Sequence, residues 1–225
     1  MMNLTTTFDK RAAITRSMLG WGVVAGPFYL IGAVVHASLR PDFDFAEHAL
    51  SLLMLTDTGW IHRTLLVLVG VMVLVAAWGF GRSVEAGGRV PWVAAMVAGF
   101  GVSLIGSGSF APDPVAGFPA GAEVAASWNG ILHLAFGAIG FLCLSIVAFA
   151  FARWCRARGS SRGASLSVVA GIVVILGFIG GAAFATVGSG VILLWIAVLA
   201  GFAWLMRASV YAYRTVPHPD GGDAA

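Results

Sequence analysis

Six long apolar runs dominate the chain and are separated by short polar stretches. Each run is close to the length of about twenty residues that a helix needs to cross the hydrocarbon core of a bilayer. None of them alternates apolar and polar residues with a period of two, which favours helices over the strands of a barrel. We therefore predict an all-α membrane protein, a bundle of six transmembrane helices at about 18–39, 59–81, 92–110, 128–152, 166–185 and 190–206.

The polar stretches differ in character. Residues 1–17 form a polar N-terminal segment, and the tail 209–225 has the composition of a disordered segment. Residues 45–55 (FAEHALSLLML) are too few to span, so we expect a short amphipathic helix at the membrane interface. Residues 107–133 interrupt the apolar runs with a stretch that is rich in glycine and proline and carries acids without Lys or Arg. This composition predicts a compact loop. A tight turn is expected at 188–190.

Composition supports a lipid environment. The 225 residues are 59% hydrophobic and only 10% charged, too few charges to cover a water-facing surface. Cys143 and Cys155 form neither a disulfide framework nor a CxxC metal pair. The sequence also lacks a P-loop, a dinucleotide-binding fingerprint, a haem-attachment motif and any nucleic-acid signature. The bilayer is therefore the expected partner, and nucleic acid is not.

Basic residues predict the topology. Six spans place both termini on one side, and eleven of the thirteen Lys and Arg residues fall on that side, leaving Arg40 and Arg63 opposite. Because loops that stay in the cytoplasm are enriched in Lys and Arg, both termini are predicted to be cytoplasmic in a bacterial plasma membrane.

Acids and histidines follow the opposite distribution. His36, His48, His62 and His133 all fall in the outer loops or the outer turns of the spans. His133 lies within an apolar run, where an unpaired polar group is costly, and Asp113 in the preceding loop is its natural partner. The pair could serve as an acid/base couple or as a hydrogen bond that holds the loop to the fourth span. Asp57 and Ser127 are expected to cap the second and fourth helices.

Other groups on this side complete a candidate pocket. The proposed binding residues are His36, Arg40, His48, Ser51, Trp60, Trp128 and Asn129. No cofactor is predicted, although a divalent metal on His133, His48, His36 and Asp113 is an alternative. A nucleophile pair of Ser51 and His48 is a less favoured candidate, because helical neighbours rarely supply an activated serine. His62, one turn from water, is interpreted as an interfacial residue.

Three motifs carry a family resemblance. Ser51–Arg63 (SLLMLTDTGWIHR), Gly108–Gly121 (GSFAPDPVAGFPAG) and Asn129–His133 (NGILH) occur in this order along the chain. They are similar to three family patterns that occur in the same order, LSxLxxGxxGWxQ, GxFxxDPxxGFPxG and GxxH. This series resembles the DUF998 family of bacterial integral membrane proteins, common in actinobacteria. The resemblance implies a six-span fold and favours Asp113, His133, Trp60 and Ser51 as a shared set, but implies no activity. His62 stands where the family pattern usually has Gln.

Two classes of function follow. The first is a binding protein whose outer pocket holds a lipid-like or other amphipathic small molecule. The second is a membrane enzyme that uses Asp113 and His133, with His48 or a metal, for acid/base chemistry on a lipid or isoprenoid at the outer leaflet. Small-residue stripes at Gly99, Ser103 and Ser107 and in a GxxxG motif are compatible with a homo-oligomer and equally with packing inside one bundle.

Overall fold

A computed structural model describes residues 8–85, 91–185 and 188–220. Six helices long and apolar enough to cross a membrane account for most of these residues, which confirms the predicted fold class. The helices are α1 (Lys10–Ser38), α2 (Gly59–Glu85), α3 (Pro91–Ser109), α4 (Trp128–Ala157), α5 (Ser161–Ala183) and α6 (Gly188–Thr215), with a 3₁₀ helix at Leu50–Leu55.

The six helices pack as a closed ring. Each helix packs against the next one in the chain, and α1 also packs against α6. At one end of the ring, which we call the terminal end, the Asp9 amide donates to the Pro219 carbonyl (2.7 Å) and Arg16 donates to the Val216 carbonyl (2.9 Å). The opposite end, here the loop end, carries the α1–α2 and α3–α4 connections.

Large apolar side chains cover the outside of the ring. Ile31, Trp78, Val102, Ile139 and Leu176, from five different helices, are all exposed. A surface of this kind is stable in lipid, where the backbone bonds of each helix are satisfied internally. The environment of the molecule is therefore a bilayer.

The small-residue stripes bring helices together inside the chain. A β-carbon built at Gly99 would lie 2.8 Å from the Cys143 sulfur of α4, and one built at Gly140 would overlap the Ser103 hydroxyl of α3. In α5, a β-carbon at Gly177 would lie 2.8 Å from the Leu193 carbonyl of α6. These faces pack within one chain, so they provide no support for an oligomer.

The ends of the bundle depart from the sequence prediction. Helix α1 begins at Lys10 rather than near residue 18, because Asp9 caps it by accepting a hydrogen bond from the Ala12 amide (2.9 Å). Helix α6 begins at Gly188, inside the predicted turn, and continues to Thr215, well past the expected end of the span. Charged residues end a membrane span without ending its helix. Arg89 and the last part of the tail, 221–225, lie outside the described residues.

The segment 45–55, expected to form a short helix at the membrane interface, is helical in part. Only Leu50–Leu55 is helical, and Leu50, Leu52, Leu53 and Met54 are all buried. His48 is also buried, and its Nδ1 accepts a hydrogen bond from the Asp44 amide (2.9 Å). The short helix packs against α1 and α2, so the buried part of the segment belongs to the loop end of the bundle.

Candidate functional site

Asp113 anchors the α3–α4 loop to the first turn of α4. Its carboxylate accepts hydrogen bonds from the Ser127 amide (3.1 Å) and the Ser127 hydroxyl (2.5 Å). The hydroxyl oxygen of Ser127 in turn accepts from the Gly130 amide (3.0 Å), which confirms Ser127 as the N-cap of α4. A carboxylate at this position is further stabilised by the partial positive charge of a helix N-terminus.

Gly130 allows this approach. A β-carbon built there would overlap the carboxylate of Asp113. The glycine of the NGILH motif therefore makes room for the aspartate of the DPxxGFPxG motif, and the two motifs form one structural unit.

His133 holds the same loop through different atoms. Its Nδ1 lies 2.9 Å from the Phe110 carbonyl oxygen and 3.0 Å from that of Ser107. Carbonyl oxygens only accept, so we assign the proton to Nδ1, which leaves Nε2 of the neutral ring as an acceptor. These carbonyls belong to the end of α3, where the last turn of a helix lacks intrahelical donors.

The direct hydrogen bond expected between Asp113 and His133 is therefore not formed. Each residue instead satisfies a different helix end, Asp113 the N-terminus of α4 and His133 the C-terminus of α3. Groups at two helix ends supply the hydrogen-bond partners of both side chains. Asp113 and His133 thus fix the loop separately.

Phe118 is the third anchor of the loop. Its side chain is 1% exposed, and its ring centroid lies 4.8 Å from that of His48 and 5.6 Å from that of Phe43. The preceding Gly117 has φ +75°, a conformation that glycine adopts without steric cost. The GFP sequence therefore turns the chain inward and joins the α3–α4 loop to the α1–α2 loop.

A cavity of about 380 Å³ lies among the helices beneath these loops. Most of its wall is apolar and includes the rings of Phe100, Phe141, Phe178 and Phe202. The polar groups on its wall are Tyr29, Ser51, Ser103, Ser107, Asp113 and His133. Of these, Ser51, Asp113 and His133 come from the residues predicted from the sequence, so part of the predicted set is brought to one space.

The other predicted binding residues lie elsewhere. Trp60 and Trp128 are 65% and 80% exposed, and Asn129 beside Trp128 is exposed as well. They lie at helix starts, where aromatic side chains meet the membrane–water interface. None of the three lines the cavity.

Arg40 has a structural partner. Its Nη1 lies 2.5 Å from Oδ1 of Asp57, and this contact ties the end of α1 to the start of α2. The hydrogen bond from Arg40 lowers the pKa of the Asp57 carboxyl below its ordinary value. Asp57 also accepts from the amide of Thr58 (2.9 Å), the residue just before α2, and its predicted capping of the first turn of α2 stays a prediction.

His62 is not interfacial, as the sequence suggested, but fully buried at 0% exposure. It belongs to the inward stripe of α2 with Leu66, Val69 and Val73, all of them buried. Their spacing of four, three and four residues is that of one helical face, and is the signal that could have placed His62 inside. His62 contacts Tyr29 of α1, another residue that the sequence did not single out.

The proposed divalent metal set is not brought together. In the part of the chain that the structure describes, no three His, Cys, Asp or Glu side chains converge on one point. His36 contacts Thr58, His48 packs against Phe118, and His133 faces the end of α3. Each histidine is oriented by a different neighbour.

Fold and site together define a polytopic α-helical membrane protein with a largely apolar, partly open cavity beside an anchored loop. The chain belongs to the DUF998 family, because the model of that family, described as a protein of unknown function, matches residues 23–211. This match confirms the resemblance found in the three sequence motifs. Neither the comparison with curated proteins nor the comparison with solved structures found a match.

Proposed function

We propose that the protein binds an amphipathic, lipid-like small molecule in the cavity beneath the α3–α4 loop. The observation that carries this proposal is the make-up of the cavity wall, which is mostly apolar but bears a few polar groups including His133, Ser107 and Ser51. Ligand sites in proteins typically combine an apolar lining with few, well-placed polar groups, in volumes of about 300–1,000 Å³. The cavity of about 380 Å³ falls within this range.

The polar groups indicate the chemistry of the ligand head. With its proton on Nδ1, the His133 ring offers Nε2 as an acceptor, and no described residue hydrogen-bonds to that nitrogen. A hydroxyl or amide group on the ligand would supply the missing donor. The aromatic side chains elsewhere on the wall suit a hydrocarbon or isoprenoid chain.

We further propose that both termini lie in the cytoplasm of a bacterial plasma membrane. Ten described basic residues lie at the terminal end of the ring, whereas Arg40 and Arg63 lie at the loop end. The excess of basic residues on cytoplasmic segments supports this orientation. The anchored loop would then lie on the outer side, where the ligand would enter from the outer leaflet.

A membrane enzyme is the second candidate. It is favoured by one observation, the fixed orientation of His133 by two carbonyls, which leaves Nε2 available as a general base. Asp113 would then have a positioning role, because its oxygens already accept from Ser127. The substrate would be the same lipid-like class.

Filling the cavity tests the binding proposal. Gly137 lines the cavity, and a β-carbon built there meets no atom within 4 Å. We expect Gly137→Leu to abolish the retention of small amphipathic molecules on the purified protein, measured by native mass spectrometry from mild detergent. Gly20→Leu is the matched control, because Gly20 also has open space but does not line the cavity.

Equal retention by the wild type and Gly137→Leu would contradict the binding proposal. His133→Asn then separates the two candidates, since the asparagine amide can still donate to the α3 carbonyls but has no counterpart of Nε2. Turnover of a retained lipid by the wild type, lost in His133→Asn while the lipid is still bound, would favour the enzyme. Unchanged lipid in both proteins would favour binding alone.

A further inference from the structure

Two histidines from neighbouring helices lie side by side inside the bundle. His36 is in the last turn of α1 and His62 is in the first turn of α2, with exposures of 4% and 0%. Their ring centroids are 6.3 Å apart. Neither ring lines the cavity of about 380 Å³, although Tyr29, which contacts His62, lies on its wall.

Each ring has one nitrogen satisfied and one without a partner. Nε2 of His36 lies 2.9 Å from the Thr58 hydroxyl, and Nε2 of His62 lies 3.4 Å from the Tyr29 hydroxyl. The Nδ1 atoms of both rings are buried and have no hydrogen-bond partner. Two buried nitrogens without a hydrogen-bond partner are costly, and such groups in proteins usually mark an ion, a water or a functional role.

The contacts of the Nε2 atoms with hydroxyl groups indicate that both Nδ1 atoms can act as ligands. When each Nε2 proton is assigned as the donor to its neighbouring hydroxyl, both Nδ1 atoms carry lone pairs. Histidines that bind metals commonly donate their other ring N–H in this way, which fixes the tautomer and raises the basicity of the ligating nitrogen. The hydroxyl groups of Thr58 and Tyr29 would therefore orient the two metal-binding rings.

The number of ligands selects the ion. Zinc in proteins requires four ligands in a structural site or three with an open position, and the described residues place no third His, Cys, Asp or Glu with this pair. A monovalent d¹⁰ cation accepts two ligands in a linear arrangement, and imidazole suits copper. We propose that His36 and His62 bind one Cu(I) ion through their Nδ1 atoms.

The spacing of the rings fits this ion. A metal–nitrogen distance of about 2 Å and a ring radius of about 1.1 Å place two imidazoles on opposite sides of one ion with centroids about 6 Å apart. The observed separation is 6.3 Å. The pair also lies close to the loop end, beside Thr58 and one turn from Arg40, so the ion has a short path from the surface.

Competition for Cu(I) tests the proposal. The protein would be purified in the Cys143→Ala/Cys155→Ala background, because free thiolates bind Cu(I) strongly. Ascorbate-reduced copper is then partitioned between the protein and a chromophoric Cu(I) chelator. We expect one equivalent per chain, with affinity reduced at least about tenfold in His36→Gln and His62→Gln, since each substitution removes one of two ligands.

The control is His133→Asn, which alters a histidine outside the pair and is expected to keep the full affinity. Circular dichroism and thermal melting of each variant show that the helices are intact, and glutamine is chosen because it fills a similar volume and can hydrogen-bond to Thr58 or Tyr29. X-ray absorption on the loaded protein should show two nitrogen neighbours in a linear site. Failure to take up Cu(I), or equal uptake by folded His62→Gln, would overturn the assignment and leave a buried water as the occupant.

Discussion

The carboxylate of Asp113 lies directly against the α-carbon of Gly130, where a single methyl group would overlap its oxygens. The same carboxylate accepts two hydrogen bonds from Ser127 at the start of α4. The loop and the helix are therefore fitted to one another at a point where only glycine leaves enough room.

Gly130→Ala should expel the carboxylate from this position. The loss of two hydrogen bonds to a charged group leads us to expect a decrease in the free energy of unfolding of about 2–4 kcal/mol. Thermal melting in detergent would measure it. Gly137→Ala in the same helix is the control and should be neutral or stabilising, because its β-carbon meets open space and alanine favours helix. Equal effects of the two substitutions would contradict the contact.

Two substitutions of His133 should have different effects on stability. His133→Ala leaves the carbonyls of Ser107 and Phe110 without a donor, and we expect a loss of about 1–3 kcal/mol. His133→Asn keeps an N–H near the position of Nδ1 and should recover most of that loss. Melting temperatures of the two purified variants provide the measurement. Equal destabilisation by both would show that the ring itself, and not its Nδ1–H, supports the loop.

Phe118 should be the most costly residue of the loop to truncate. Phe118→Ala removes a ring that is fully enclosed by Phe43 and His48, and burial losses of this kind amount to about 3–5 kcal/mol. Chemical denaturation in mixed micelles would report the change. Trp128→Ala, which removes a larger but exposed ring, should change the stability of the purified protein by less than about 1 kcal/mol. A larger effect of Trp128→Ala would refute this ordering.

The Arg40–Asp57 pair should contribute to stability only where Asp57 is ionised. Because Arg40 lowers the pKa of Asp57 in the folded state, the contribution is present above the ordinary range of aspartate and is lost as the pH falls through the lowered pKa. The melting temperatures of wild type and Asp57→Asn should therefore converge as the pH drops below about 4. A difference that widens on acidification would show the opposite sign of linkage.

The sequence was sufficient for the helices and insufficient for most of the side-chain contacts. Helices α2 and α4 begin at the predicted residues, Gly59 and Trp128, because an apolar run starts there and, for α4, follows directly on the capping side chain of Ser127. Helices α1 and α6 extend beyond the predicted spans, since hydropathy detects the hydrocarbon layer and not the end of the backbone hydrogen bonds.

The partners of Asp113 and His133 were beyond such reasoning. The complementary chemistry of a carboxylate and an imidazole suggested that the two residues bind each other, but Ser127 at the start of α4 and the carbonyls at the end of α3 are their partners instead. The burial of His62 could have been predicted from its place in the inward stripe of α2. The outward direction of Trp60 and Trp128 depends on the rotation of each helix in the ring, which motifs do not encode.

The ring of helices can close only after α6 has been synthesised. Helix α1 is the first of the six to leave the ribosome, and its second neighbour, α6, is the last. Gly22 and Gly26 of α1 leave room for Ser209 and Phe202 of α6, so this groove stays without its protein occupant until α6 has been synthesised. A chain that stops before α6 would leave this groove of α1 open to lipid.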